Sequence, residues 1–524
     1  MRVALIPSAA YVCSELAAEY GRLPAAFLPM GHKRLYELQI QTLREINAQE
    51  LIYLTVPKSY EIPIADQEYL AKNQVHLIKV PDDLRLAESI LFSLEIISDA
   101  YHEIVLLHGD TLIYDLPPIV ENTVAIGVSP DSYTWGSLTH AETNSSQANM
   151  VLAGFFTFGD AALLRRSLAQ SQGDFVKALD FYGNDQPLTE FVVSNWLDFG
   201  HLQTFYRARC EIKTHRSFNE LSINFREIYK TGSNEQKIEA EALWFDQIPL
   251  DLRMYTPALL GYGNVPKPWY KLEYLPNPSL HELLVFGELN VLIWRRILDG
   301  CFAFLQACIQ DSHTQLAKLT NNPLELLVFN KTLHRLQEFF QEAKIDPETQ
   351  WSYEGNKLPS LLSIAQITAK EIKVENFRAI GLMHGDLCFT NIFYDFRTQK
   401  IQVIDPRGTL DGVNASIFGD VRYDMAKLNH SLLGGYDFIL ANRYDCTGFD
   451  ERDLSITFQD DGKLNLLESL SNEFDVAGVE LCSLEIQALT IHLFLSMLPL
   501  HDDRPDRQKA FLANALRLFS KYFK

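Results

Sequence analysis

The stretch LMHGDLCFTNIFYDFRTQKIQVIDPRG, residues 382–408, spaces an Asp, an Asn and a second Asp in a way that could manage phosphate charge. His384-Gly385-Asp386 is followed, after four further residues, by Asn391, and an apolar run then ends at Ile404-Asp405. Transfer of a phosphoryl group leaves a protein little covalent work and much positioning and charge neutralisation. It needs a base to accept the hydroxyl proton, an amide oxygen to hold a divalent cation, and a carboxylate to bridge that cation to the β- and γ-phosphates. Asp386 is the candidate base, and Asn391 and Asp405 are the candidate ligands of Mg²⁺ on ATP. His384 reads as a buttress of the loop rather than a reacting group.

The motif resembles that of the aminoglycoside phosphotransferase and choline kinase family, a branch of the protein-kinase-like fold whose members phosphorylate hydroxyls of small molecules. The resemblance implies ATP as co-substrate and a two-lobe α+β unit with an upstream lobe holding a buried Lys–Glu pair. Residues 216–245, RSFNELSINFREIYKTGSNEQKIEAEALWF, open with strand-like alternation, reach Lys230 and continue as a helix. Matching the family's apolar-x-x-Glu-Ala pattern makes Glu241 the partner of Lys230, with Lys237 and Glu239 as surface charges. No G-x-G-x-x-G precedes Lys230, so residues 216–220 are the candidate phosphate-covering turn. In WYKLEYLPNPSLHELL, residues 269–284, Glu273 to Leu275 are expected to form the hinge that holds adenine by backbone hydrogen bonds. Residues 283–310 and 324–343 carry apolar side chains at helical spacing and read as packed helices. A Y-D-x-A segment at Tyr423-Asp424 implies that Asp424 ties the catalytic loop to a helix, while His430 and Tyr436 either line the acceptor pocket or pack in the core. Asp-Pro-Arg-Gly in place of Asp-Phe-Gly argues against a regulated activation segment.

The front of the chain has a different rhythm. Short β-rich runs at 3–6, 51–56, 75–79, 103–107 and 123–128 alternate with helical patterns such as Leu35–Ile46 and 86–97. Such alternation predicts βαβ units and a mostly parallel, Rossmann-like sheet, with ligands outside the carboxyl ends of its strands. The run EIVLLHGDTLI ends its strand at Gly109-Asp110, so Asp110 is either a turn former or a ligand of metal and phosphate. Farther on come AGFFTFGD, residues 153–160, and WLDFGHLQTFYRAR, residues 196–209. This ordering resembles the sugar-phosphate nucleotidyltransferase family and implies Asp110 and Asp198 as joint ligands of a divalent metal on CTP or UTP. Residues 23–40 also resemble the family's stretch after its first loop. The departure lies at residues 6–26, which lack the Gly-rich loop with its Arg. Ala25 stands where the family has Lys, and Arg22 is the nearby cation. The unit is therefore open to three readings: catalytic, binding-only or scaffold.

With 524 residues, the chain is too long for one ordinary core. The change of pattern near residues 210–216 divides it into a nucleotidyltransferase-like unit, 1–212, and a kinase-like unit, 213–524. A formal charge of −21 disfavours nucleic acid and anionic lipid as partners. Seven scattered cysteines without a C-x-x-C point to a reducing cytoplasm rather than to zinc or disulfides. The N-terminal residues do not read as a signal peptide, and no apolar run reaches the roughly 18 residues of a membrane span, so no membrane insertion is expected. Nothing in the chain specifies an oligomeric state. Joining the two resemblances implies consecutive steps on a small alcohol, sugar or sugar phosphate, as expected in building capsular or other surface polysaccharide.

Overall fold

Alternating apolar strands and amphipathic helices can bury both faces of a sheet only by layering the helices over it. In the computed structural model the first unit does this. The structure describes residues 2–97, 101–116, 120–129, 133, 150–212, 219–310, 323–375 and 377–523. Its chain divides into two compact units, Met1–Ile212 and Lys213–Lys524.

The first unit is an α/β layer with a seven-stranded sheet. Its strand order is Thr189–Val192, Thr123–Val128, Met150–Phe158, Glu103–Leu107, Arg2–Ile6, Ile52–Pro57 and Val75–Val80. All five expected runs are strands, with ends shifted by a residue at most. Arg2–Ile6 runs parallel to both neighbours, Leu5 standing beside Tyr53 and Leu106. Met150–Phe158 is antiparallel to both of its own neighbours, so the sheet is mixed. The carboxyl ends of the adjacent strands Arg2–Ile6 and Glu103–Leu107 bring residues 7–13 and 108–110 together. Gly109 permits this approach: a Cβ there would lie 2.5 Å from Ser8 Cβ and 2.9 Å from the Pro7 carbonyl oxygen.

The second unit is α+β. Its antiparallel sheet has the order Asn219–Ile223, Glu227–Gly232, Trp269–Glu273, Leu259–Gly263. The helix Glu235–Gln247, capped by the Asn234 side chain on the Lys237 N–H, presents Ile238, Glu241, Trp244 and Phe245 to the interior. The rest is mainly helical, around a core that includes Phe494, Phe511 and Leu516.

Three sequence expectations change here. Residues 283–310 form two helices, Leu280–Phe286 and Val291–Gln310, because the Asn290 side chain accepts the Leu292 and Ile293 N–H groups and starts a new helix. Residues 324–343 open with a wide turn, Glu325–Asn330, before the helix Lys331–Ala343. By length and composition Leu484–His501 is apolar enough to cross a bilayer, yet 72% of it is buried inside the unit.

Candidate functional site

A hairpin and a helix assemble the second unit's site. Strands Ile392–Asp395 and Lys400–Val403 pair antiparallel, so Asn391, just before the hairpin, and Asp405, just after it, come to the same end. The Ile404 N–H donates to the Asn391 carbonyl at 3.0 Å and locks that closure. The loop before Asn391 is held by Asp424, whose two oxygens accept the His384 and Gly385 N–H groups at 2.7 Å each. Burial pushes the Asp424 carboxyl up to about 7, against the pull of those two backbone donors. Trp244 Nε1 donates to the Met383 carbonyl, tying the loop to the Glu235–Gln247 helix.

Asp386 thereby projects half-exposed from a fixed loop. Its Oδ1 pairs with Lys427 Nζ at 2.9 Å, and its Oδ2 and carbonyl oxygen accept from Asn391 Nδ2 at 3.2 and 2.9 Å. Asn391 thus spends its nitrogen on Asp386, which leaves its oxygen as the atom that could take a cation; the Thr390 hydroxyl donates to that oxygen at 3.4 Å. His384 is fully buried, and burial pushes it down to about 4, so it stays neutral near pH 7. It packs edge-on against Trp244.

Lys230 joins residues far apart in the chain. Its Nζ lies 2.7 Å from Glu241 Oε2 and 2.8 Å from Asp405 Oδ1. Burial pulls the ammonium pKa down, but Asp405 and Glu241 outweigh that, and the net direction is up. Tyr270, directly across the sheet from Lys230, donates its hydroxyl to the same Glu241 oxygen at 2.8 Å. Asp405 has φ +56°, a left-handed conformation that a non-glycine residue adopts only when its surroundings hold it. Asp405 and Asn391 supply hard oxygen donors, and among the described residues no three His, Cys, Asp or Glu side chains form a cage. That donor set fits Mg²⁺, which keeps waters and substrate phosphate oxygens as its remaining ligands.

The hinge is less uniform. Leu275 lies beyond the strand with its side chain buried, and no described residue takes its backbone N–H. Glu273 instead commits its N–H to the Ala258 carbonyl and exposes its side chain. Residues 216–218 of the expected phosphate-covering turn lie outside the described residues, and Asn219 and Glu220 open a strand. Sequence reasoning missed Tyr270 and Lys427. Lys427 was findable, because Tyr423, Lys427 and His430 recur at spacings of four and three, which puts them on one helical face.

The first unit carries a second constellation. Strand Trp196–Asp198 pairs with Thr111–Ile113, so Asp198 stands opposite Thr111 and beside Asp110. The Phe199 N–H donates to the Asp110 carbonyl at 2.8 Å. Both carboxylates flank Gly200, where a Cβ would lie 2.7 Å from Asp110 Oδ2 and 3.3 Å from Asp198 Oδ1. Burial and then Asp110 push the Asp198 carboxyl up, while Thr204 and His201 oppose the shift with hydrogen bonds. Two crowded carboxylates fit a divalent cation. The adjoining cavity of about 270 Å³ is lined by residues 7–13, Ala25, His108, Asp110 and Gly200 among others, with no Lys or Arg in its wall. Ser8 is occupied, its N–H donating to Thr55 Oγ1 and its Oγ accepting the Ala26 N–H. Arg22 stacks over the Tyr11 ring at 3.9 Å. On the last helix Tyr206 donates to Glu19.

No protein-family model and no curated protein matches the chain. Solved structures do resemble its parts. A nucleoside-diphosphate-sugar pyrophosphorylase from Vibrio cholerae matches 39% of this chain and 98% of its own, at 12% identity and a TM-score of 0.32. A thermostable mutant of aminoglycoside phosphotransferase APH(4)-Ia matches 59% and 92%, at 11% identity and 0.37. A gentamicin complex of APH(2")-IIa matches 58% and 90%, at 13% and 0.34. The chain combines an α/β unit with an α+β unit. The chemistry of each is read from its own side chains.

Proposed function

We propose that the second unit is an ATP- and Mg²⁺-dependent kinase that phosphorylates a hydroxyl of a small alcohol or sugar. The observation that carries this reading is Lys230 bonded at once to buried Glu241 and to Asp405. A structural ion pair would need one carboxylate; an ammonium held between a helix Glu and a loop Asp is placed to receive phosphate oxygens. Asp405 and Asn391 would hold the cation, which when bound supplies charge neutralisation to the β- and γ-phosphates. Leu275 offers its backbone N–H to adenine, with Glu273 at the edge of the hinge. Asp386 accepts the proton from the acceptor hydroxyl, and Lys427 orients its carboxylate. His384 and Asp424 keep the loop in place.

A second reading adds nucleotidyl transfer in the first unit, favoured by the Asp110–Asp198 pair at the sheet's carboxyl edge. CTP or UTP would be the nucleotide and a phosphorylated acceptor its partner. The cation-free cavity wall and the absent Gly-rich loop favour nucleotide or sugar-phosphate binding over turnover there. Service to surface or capsular polysaccharide synthesis in the cytoplasm is the setting that the two resemblances imply.

The test is Mg²⁺-dependent stabilisation of the whole chain by ATP, with CTP and UTP alongside. ATP should raise Tm in wild type and lose its Mg²⁺-dependent part in Asp405→Ala. Asp386→Ala should keep the ATP shift and lose phosphoryl transfer; an active Asp386→Ala protein would overturn the assignment. A CTP or UTP shift that survives Asp405→Ala and disappears in Asp110→Ala would establish the first unit's site.

A further inference from the structure

Behind Asp386 lies a group of cations that the transfer reaction does not by itself require. Lys427, bonded to Asp386, stands on the helix Val421–Leu432 on the same face as Tyr423 and His430. Lys331, the first residue of the facing helix Lys331–Ala343, points its ammonium at the Tyr423 hydroxyl, 3.2 Å away, with the ring 5.8 Å from Nζ. Arg335, one turn on, reaches the Ser496 carbonyl at 2.8 Å. Arg407 lies two residues beyond Asp405 and donates its Nε to the Thr409 carbonyl at 3.0 Å. Three separate segments thus deliver four cations to one locality, and among the described residues Lys331 has no carboxylate partner.

Such crowding is unfavourable without an anion to answer it. The titration directions agree. Burial, then Arg407, Lys427 and Arg335, push the Lys331 ammonium down. Tyr423 is fully buried, which should raise its phenol, yet Lys331, Lys427 and Arg407 together bring it below its ordinary value. Among the described residues, carboxylates acting on this group include Asp386, bonded to Lys427, and Glu338, beside Arg335. A second observation is independent of charge. His430, fully buried in the same neighbourhood as Lys427 and Asp386, has neither ring nitrogen hydrogen-bonded. Burial holds it neutral, so it offers one donor and one acceptor. Buried polar atoms are normally satisfied by a protein group or a water, and a ligand's polar atom entering here could take that place.

We propose that the phosphoryl acceptor is a hydroxyl compound that itself carries an oxyanion, a carboxylate or a phosphate, held by Lys331 with Arg407 and Lys427 while its hydroxyl meets Asp386. The proposal rests on the kinase reading and specifies its substrate class. The cations select a negative acceptor and repel a positive one, since like charges in a partly buried site cost affinity directly. Lys331 is a binding residue here. Lys331 bonds Tyr423 and touches neither Lys230 nor Asp405, so it serves the acceptor and leaves nucleotide binding to Lys230 and Asp405.

The experiment uses the full chain saturated with Mg²⁺ and a non-hydrolysable ATP analogue, and measures binding by calorimetry. The probes are glycerate, glucose 1-phosphate, inorganic phosphate and choline. At least one of the anions should bind, and its Kd should rise tenfold or more in Lys331→Met, with affinity for the ATP analogue unchanged. Glycerate binding without the two phosphates assigns the anion as a carboxylate; the reverse assigns it as a phosphate. Choline should not bind. The proposal is overturned if choline binds better than every anion, if anions bind wild type and Lys331→Met equally, or if the analogue binds and no anion does. Failure of the analogue itself to bind would overturn the kinase reading on which the proposal depends. Arg335→Met provides a second variant at the group's edge, where a smaller loss of the same anion is expected and an unchanged Kd in both variants again overturns it.

Discussion

Replacing Lys230 by Met tests the centre of the kinase-like site. The substitution keeps most of the side-chain volume and removes an ammonium that lies between Glu241 and Asp405. Glu241, with 1% of its side chain exposed, keeps the Tyr270 hydroxyl and a distant Lys237 at 3.6 Å. Asp405 is 23% exposed and can recover water. Removing one partner from a buried ion pair costs about 3–5 kcal/mol. Because only one of the two carboxylates is truly stranded, the lower end, about 3 kcal/mol, is expected. In a unit this large that is a fall in Tm of roughly 5 °C. Lys230 is held above its ordinary value, so its own contribution is fully present below about pH 10.4 and constant between pH 5 and 8. Any change in the stability gap across that range comes from the one stranded carboxylate, which protonation relieves, so the gap should narrow on acidification. Urea denaturation at pH 8 and pH 5 measures it. Lys230→Met/Glu241→Gln should regain part of the loss at pH 8, since a neutral pair replaces a lone buried charge. A loss under about 1 kcal/mol, or a double variant no better than the single one, would refute a coupled buried pair. Mg²⁺-ATP stabilisation should also vanish in the single variant.

Other perturbations separate structure from chemistry. Arg422 is fully buried between Asp420 at 2.9 Å, Glu485 at 2.7 Å and the Lys373 carbonyl. Arg422→Met should cost about 3–5 kcal/mol in urea denaturation and leave the ATP Kd of the folded fraction unchanged. Asp424 is pushed up to about 7 in the fold, so its ionisation destabilises the native state progressively from about pH 4 to pH 7. Asp424→Asn should remove that slope from a plot of stability against pH. It should also cost about 1–3 kcal/mol at pH 5, because its amide nitrogen would face a backbone N–H. In EDTA, Asp110→Asn should raise Tm by relieving Asp198 of a like charge, and in Mg²⁺ with CTP it should lower the ligand-induced shift. A fall in Tm in EDTA would show that the two aspartates do not repel.

Much of the fold was legible because its signals are local. The five front strands follow from β-rich runs of four to six residues between helical patterns, and each falls where its pattern put it. The Asp386–Asn391–Asp405 spacing was legible for a related reason: a two-stranded hairpin spans the interval, so sequence distance nearly specifies position. The break at residues 287–290 was not legible by periodicity, since apolar spacing continues through it while the Asn290 side chain restarts the helix. The wide turn at Glu325–Asn330 is likewise invisible to apolar spacing, because the helical pattern runs on across it.

What the sequence by itself determined is the menu of chemistry: which side chains could be base, metal ligand or phosphate-binding cation, and in which of two units. Periodicity and short-range spacing encode that, because strands, hairpins and helices obey fixed repeats. Only the tertiary structure decided which charges meet. Lys230 reaches Asp405 across 175 positions, and Tyr270 turns its hydroxyl from a strand to Glu241 on the Glu235–Gln247 helix. Lys331 comes to face Tyr423 from another helix, 92 positions away. Pairings at such separations depend on how whole elements pack, and no local repeat records them. The electrostatic character of the site, including the grouping of Lys331, Arg407 and Lys427, therefore arises only on folding.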